Sequence, residues 1–353
     1  MQVNEAQEFF ESLRQIVSEL RDRQEPKTYR ISLLGMGVRL SFFEDSLIEK
    51  IMPALAHITD PVHLKNSSQY QIFMLDGTTI QSSLPKIANI KNKYIFRGDI
   101  DNFCTEQYQI SYLVHPKMIC AIDHFNKIGI VVAQNAKLIP RFITAGPLKE
   151  VFSWMLSKNK SLLIHAAAVG NHDGAVLLIG KSGAGKSSTA IRCLLDGLDF
   201  YGDDVVGIST DPTPTVHSIY ASAKIYQKDL KNYKGLALPD AMGYLRPNEK
   251  AIFYLHQNFQ AQLNSCAPIR AILHVVQSDG STQISPTSVA NALNTVGSTT
   301  ATLFPYFDKT QTTQLLALFK KVPCFKFELG NRPDQISLIL TQFLETVAHN
   351  EFS

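Results

Sequence analysis

The sequence predicts an α/β protein in two parts, an α+β N-terminal domain over residues 1–146 and a second, α/β domain over 147–353. Three observations carry that expectation. The apolar run Ala175–Ile179 enters a glycine-rich loop, and the loop enters a stretch with Ile191, Leu194 and Leu195 at helical spacing, closed by Gly197. A second apolar run, Leu162–Val169, is separated from the first only by Gly170-Asn171-His172-Asp173-Gly174, too short for a parallel crossover, so the two should pair as an antiparallel hairpin. The N-terminal residues instead mix amphipathic helical faces with short β-rich runs.

Between Glu5 and Arg23, the residues Phe9, Leu13, Ile16, Val17 and Leu20 make one apolar helical face, and Pro26 ends it. Tyr29–Leu34 and Val38–Phe43 flank Gly35-Met36-Gly37, a hairpin signal. Glu44-Asp45-Ser46 opens a helix through Ile48, Ile51 and Leu55, its acids facing the positive end of the helix dipole. Candidate strands follow at Gln71–Leu75, Tyr94–Arg97, Gln109–Val114, Met118–Asp123 and Ile128–Val132, with turns at Asp76-Gly77 and His124–Lys127. His57, His63, His115 and His124 have no partner at ligand spacing and read as surface or satisfied core residues. Pro147 opens a helix through Leu148, Val151, Phe152, Met155 and Leu156 that joins the halves without a Gly/Ser-rich linker.

Composition narrows the class of protein. A net charge of +3 over 353 residues, with no run of like charges, argues against a nucleic-acid partner. The five cysteines, Cys104, Cys120, Cys193, Cys266 and Cys324, are widely spaced and odd in number, as expected of reduced core thiols. No apolar signal core follows Met1, and no run approaches the ~18 apolar residues of a membrane span. The expectation is a soluble cytoplasmic protein with no membrane partner. A homo-oligomer is compatible with the sequence.

The loop, Gly180-Lys181-Ser182-Gly183-Ala184-Gly185-Lys186-Ser187, fits the pattern of glycine, four residues, then Gly-Lys-Ser. Glycines let the backbone wrap an anion with its N–H groups turned inward, and the helix start adds about half a positive charge in the same direction. Gly180, Ser182, Gly183, Ala184, Gly185, Lys186, Ser187 and Ser188 are therefore the expected nucleotide-binding set. Lys186 supplies a point charge for the β and γ phosphates, and the Ser187 hydroxyl a ligand for Mg²⁺. The alternative is a glycine-rich turn that binds nothing. ATP and Mg²⁺ are the expected ligands.

With Gly170 opposite Ala175, the hairpin register brings His165 opposite Gly180 or one residue away, near the mouth of the loop. A structural histidine is the alternative there. Gly202-Asp203-Asp204 follows Ser187 by one helix and a turn, which returns the chain to the loop's end of the sheet. Two adjacent carboxylates can divide labour, one holding metal and one taking a proton from an attacking hydroxyl. Asp203 is placed with the metal, beside Ser187, and Asp204 with the proton, although the order is open; a solvated Asp-Asp turn is the alternative.

Leu163-Ile-His165-Ala-Ala-Ala-Val169, the loop and Gly202-Asp-Asp-Val-Val206 resemble the HPr kinase/phosphorylase-like family. The closest likeness is to its divergent members encoded beside peptide-modification genes, including lasso-peptide pathways. Weaker similarity extends through Pro268-Ile-Arg270-Ala-Ile-Leu273 and Val322–Gly330, so that the resemblance covers about Pro147 to Leu344. It implies a phosphate-loop fold of the carboxykinase type, a mixed sheet with flanking helices, and a catalytic centre of His165, Asp203 and Asp204. It also implies a basic residue downstream. Arg270, at the head of the apolar run Ala271–Val276, is set with the catalytic group; Lys224 and Lys250 are the other candidates, and a solvated charge is the alternative for each. The chain departs from true HPr kinases between Val216 and Gly243, where it reads Ala221-Ser-Ala-Lys224-Ile-Tyr226, and neither HPr as substrate nor reverse phosphorylase activity is implied.

The function so implied is a Mg²⁺-ATP-dependent kinase acting on a hydroxyl, serine first, of a peptide, protein or small molecule. The alternatives are an ATP-binding regulatory module without phosphotransfer and a carboxykinase-type small-molecule enzyme. Pro286–Thr302 reads as either a mobile cover or a polar helix, and helices are expected from Gln311 and over Ile336–Val347.

Overall fold

The computed structural model describes residues 5–59, 68–80, 84–85, 97–236, 246 and 248–349. His63 and most of the run Tyr94–Arg97 lie outside them. Contacts divide the chain into two units, Met1–Met155 with Phe304–Tyr306, and Leu156–Leu303 with Phe307–Ser353. The division thus falls inside the joining helix rather than before it. No helix among the described residues is long and apolar enough to cross a membrane.

The first unit carries helix α1 (Glu5–Arg21) and strands β1 (Lys27–Leu33) and β2 (Met36–Phe42). It continues with α2 (Asp45–Leu55), β3 (Ser68–Asp76), β4 (Tyr108–Leu113), β5 (Met118–Asp123) and β6 (Ile128–Ala133). Short α3 (Arg141–Thr144) and α4 (Lys149–Ser157) close it, α4 starting one residue after Leu148, whose φ is 61°. The β1–β2 hairpin turns at Leu34-Gly35, both with positive φ, the backbone that matches the strand twist in a two-residue turn. The sheet runs β1-β2-β3-β6-β5-β4 and is mixed, with parallel pairs β2–β3 and β3–β6. The apolar face of α1 packs on it: Phe10, Leu13 and Ala6 are fully buried against Leu75, Ile110, Ala121 and Ile130.

In the second unit, β7 (Ser161–Ile164), β8 (Ala167–Asn171) and β9 (Gly174–Ile179) lead into α5 (Lys186–Leu195). Then come β10 (Asp199–Gly202), β11 (Val206–Ser209), β12 (Thr215–His217), β13 (Ser222–Tyr226), β14 (Lys250–Tyr254) and the long β15 (Cys266–Gln277). The rest is β16 (Gln283–Pro286), α6 (Val289–Leu303), α7 (Lys309–Lys321), β17 (Cys324–Leu329) and α8 (Ile336–His349). The hairpin β8–β9 has the expected register, Gly170 opposite Ala175.

The nine-stranded mixed sheet forks along β15. One edge of β15 pairs with β9 in parallel; its other edge pairs first with β12 and then with β17. Its middle strands are apolar on both faces because both faces are covered. Val176 and Leu178 of β9 enter a core shared with α5 and α8. Ala175, Leu177 and Ile179 enter a second core under α6 and α7. The stretch left open as cover or helix is therefore a packed helix: Ala292 and Val296 of α6 are fully buried. The Asp308 side chain caps α7 on the Gln311 N–H, and Gln311 returns the bond to the Asp308 backbone.

One expected strand is two. Leu162–Val169 breaks at His165-Ala166, so that β7 pairs with β11 and β8 with β10. The four strands form one antiparallel run whose halves belong to different arms of the fork, and both chains turn a corner at the split. None of the five cysteines is in a disulfide, and Cys104 and Cys266 are exposed rather than in the core.

Within the first unit, Tyr306 is the polar anchor. Its hydroxyl accepts from the Ile100 N–H at 2.8 Å and sits within hydrogen-bond distance of the Ile100 and Ile110 carbonyls, at 3.0 and 2.5 Å. Tyr306→Phe leaves those buried backbone groups without their partner, so equilibrium urea unfolding should show a loss of about 1–3 kcal/mol.

Candidate functional site

The carboxyl end of β9 runs directly into the loop, and α5 begins at Lys186 with Gly185 as its N-cap. Gly185 has φ +107°, and a Cβ there would stand 2.5 Å from Leu329 Cδ1 and 2.9 Å from Gln277 Nε2, so the position admits only glycine. Gln277, at the end of β15, donates to the Ala184 carbonyl at 2.9 Å and braces the loop from the neighbouring strand. No side chain caps α5, which leaves its first N–H groups to the loop's own cavity.

Lys186 is 7% exposed, with Nζ donating to the Gly180 carbonyl at 2.7 Å and near the Lys181 carbonyl at 3.3 Å. Burial lowers its pKa from the usual lysine value, and the Asp203 and Asp204 charges oppose that shift. Ser187 Oγ donates to Asp203 Oδ1 at 2.7 Å. Asp203 is 3% exposed, and its other oxygen, Oδ2, is buried with no hydrogen-bond partner. Burial raises the Asp203 carboxyl above the usual range, and the adjacent Asp204 charge adds to the rise.

Asp204 adopts φ +76°, a left-handed backbone rare outside glycine, at the corner between β10 and β11. That kink turns its carboxylate away from Asp203 and into the cleft. There Oδ1 lies 3.4 Å from His165 Nδ1, and Oδ2 forms an ion pair with Lys224. His165 occupies the matching corner between β7 and β8, its backbone N–H donating to Thr300 Oγ1 of α6 at 3.1 Å. Burial lowers the His165 pKa, with Asp204 opposing and Lys186 adding to the effect, so the imidazole is held neutral.

The two-stranded ribbon β13–β14 walls the cleft. Ala223, Ile225, Ala251 and Phe253 of one ribbon face enter the core. Lys224, Tyr226 and Lys250 share the other face, and Lys250 Nζ lies 4.9 Å from the Tyr226 ring centroid. The cleft encloses about 790 Å³, within the usual size of a small-molecule site.

The structure brings Ser182, Gly183, Gly185, Lys186, Ser187, Ser188, Asp203, Asp204 and His165 together around one cleft. Arg270 stands apart from it. Its Nε donates to the Asp173 carbonyl at 2.6 Å, in the β8–β9 turn at the far end of β9 from the loop. Of the basic candidates, Lys224 and Lys250 line the cleft. The Tyr226 and Gln277 contributions escape sequence reasoning; the alternation in Ser222–Tyr226 and Lys250–Tyr254 was the available signal.

The residues present fit a divalent cation of the magnesium type. Ser187 Oγ and Asp203 are hard oxygen donors, and the unpartnered Oδ2 is free to accept a cation. Among the described residues no group of three or more His, Cys, Asp or Glu could cage a metal by itself. Such a site suits an ion that completes its shell with water and substrate phosphates.

Part of the chain is similar in structure to the Hpr(Ser) kinase/phosphatase from Coxiella burnetii, at 11% identity and a TM-score of 0.29, over 52% of this chain and 97% of that one. No protein-family model matches the chain, and no curated protein matches it in sequence.

Burial, and after it the Asp204 charge, disfavour the ionised form of Asp203. Asp203→Asn keeps an acceptor for Ser187 and removes the charge, so the variant should melt above wild type at pH 7 in EDTA. The gap should close as pH falls and wild-type Asp203 takes up its proton, because the raised carboxyl costs stability only when ionised. Scanning calorimetry across pH 4–7 measures it.

Proposed function

We propose that this chain is an ATP-dependent kinase that transfers the γ-phosphoryl group to a hydroxyl, with serine of a peptide or protein, or a small-molecule alcohol, as acceptor. The Ser187–Asp203 bond at 2.7 Å, with Asp204 turned from it into the cleft, is the observation that carries the reading. A P-loop serine bonded to an aspartate at the end of another strand of the same sheet, here β10 with β8 between it and β9, is the arrangement that holds a metal–nucleotide complex. The second carboxylate then has no structural duty in the loop and faces the space an acceptor would fill.

In this reading the loop N–H groups and Lys186 hold the β and γ phosphates, and Ser187 and Asp203 hold the cation. The bound cation neutralises charge on the phosphate oxygens. The acceptor oxygen forms a bond to the γ-phosphorus as the bond to the β,γ-bridging oxygen breaks, and ADP leaves with that electron pair. Asp204 receives the acceptor's proton, the Lys224 ion pair holds its carboxylate in place, and neutral His165 stands beside it at 3.4 Å. The resemblance in sequence to HPr kinase/phosphorylase-like proteins runs in the same direction.

The test uses γ-labelled ATP and cell extract, with mass identification of the labelled species, beside calorimetry of Mg²⁺-ATP binding. Asp204→Asn should keep ATP affinity and slow transfer by about 10²–10⁴-fold. Lys186→Ala should lose ATP affinity and transfer together. Unchanged transfer in Asp204→Asn would remove the base, and a wild-type protein that binds ATP but labels nothing would leave a nucleotide-binding module.

A further inference from the structure

The cleft has a second arm that the proposed chemistry does not use. It follows the flank of α5 away from the loop, past Ser188 to Arg192, between the 3-10 turn Gln227–Asn232 with Tyr233 on one side and Gly330, Pro333 and Asp334 on the other. Resting on the reading of the loop as a phosphate site, we propose that this arm is the nucleoside site, with the base held against Tyr233 and the Arg192 guanidinium.

Geometry sets the direction. Phosphates bound by the loop meet the N–H groups at the start of α5, and Arg192 stands six residues further, about 9 Å along the axis. That step lies beyond the phosphates, where sugar and base must follow. The Arg192 guanidinium lies 5.7 Å from the Tyr233 ring centroid, and its Nη2 donates to the Asn232 carbonyl at 3.2 Å. Its Nε–H is buried without a hydrogen-bond partner, and the residue lines the arm. A planar guanidinium over an aromatic ring gives a heterocycle a surface to stack on and an N–H to meet its acceptors. The carboxylates of Asp229 and Asp334 line the same arm and can accept from sugar hydroxyls or an exocyclic amine.

The other aromatic ring of the cleft suits this role less well. Tyr226 has Lys228 and Lys250 within 5.6 and 4.9 Å of its centroid. It also shares its ribbon face with Lys224, which pairs with Asp204, so it lies on the side where the acceptor would approach.

The experiment compares Mg²⁺-ATP with Mg²⁺-tripolyphosphate, which has the phosphates and no nucleoside, by calorimetry. The readout is the ratio of their affinities in wild type, Tyr233→Leu, Tyr233→Phe, Arg192→Met and Lys186→Ala. Tyr233 also packs partly on the core, so Leu keeps apolar bulk while Phe keeps the ring. Tyr233→Leu should weaken ATP by roughly 5- to 100-fold, the range of one lost stacking contact, and leave tripolyphosphate unchanged. Tyr233→Phe should behave as wild type. Arg192→Met should shift the ratio in the same direction as Leu, which keeps the test alive if the Leu variant unfolds. Lys186→Ala should weaken both ligands. An unchanged ratio in both Tyr233→Leu and Arg192→Met overturns the nucleoside site while the phosphate site stands. Failure of wild type to bind either ligand overturns the phosphate site, and this inference with it.

Discussion

The cleft depends on a break in one antiparallel run. Residues 161–171 lie against 199–209 in nearly constant register, yet the two halves of that pairing join different arms of the forked sheet. A continuous ladder would send side chains alternately to the two cores. At the split no ladder constrains the chain, and His165 on one side and Asp203-Asp204 on the other are released toward the loop at the end of β9. The backbone conformation that makes the corner is costly: Asp204 sits at φ +76°, and Gly202 has no room for a Cβ, which would stand 2.7 Å from Val206 Cγ1. The surrounding cores hold it there, since Ile164, Ala166, Ala168, Tyr201 and Val206 all pack in the core beneath α6 and α7.

Charge inside this corner is balanced rather than solvated. Lys186 and Asp203 are each shifted by burial toward their neutral forms, and each is held back by charges of the other sign. An anionic ligand with a divalent cation adds both signs at once, which such a pair can accept without a large imbalance. Lys250 joins this group from the ribbon wall, acting on both Lys186 and Asp203.

How much of this was legible follows from how local each signal is. The loop, its flanking strand and helix, and the hairpin register are written in contiguous residues, and the register in particular is fixed by a five-residue connection. The split of Leu162–Val169 was not legible, because an apolar run reads the same whether it serves one ladder or two. Arg270 illustrates the limit of strand-end reasoning: it heads an apolar run, but β15 begins at Cys266, so Arg270 falls beside the start of β9 and not its end. The ribbon wall and the Gln277 brace are tertiary facts, set by which core the faces of β13, β14 and β15 choose.

Adjacent carboxylates present a problem that sequence leaves open, since either could face the metal. In the structure their difference comes from backbone, not from chemistry. Asp203 follows β10 inward, loses its solvent and meets Ser187 Oγ; Asp204, turned by its left-handed φ, keeps about a third of its side chain exposed at 36% and meets His165 and Lys224. A buried carboxylate with one oxygen unpartnered is matched to a cation, which satisfies the oxygen and the charge together. A partly exposed carboxylate between a neutral imidazole and an ammonium is matched to a proton that must arrive and leave. Straightening residue 204 into extended backbone would send the two adjacent side chains to opposite faces, so Asp204 would leave the cleft and the division of labour proposed for the pair would vanish with the kink that creates it.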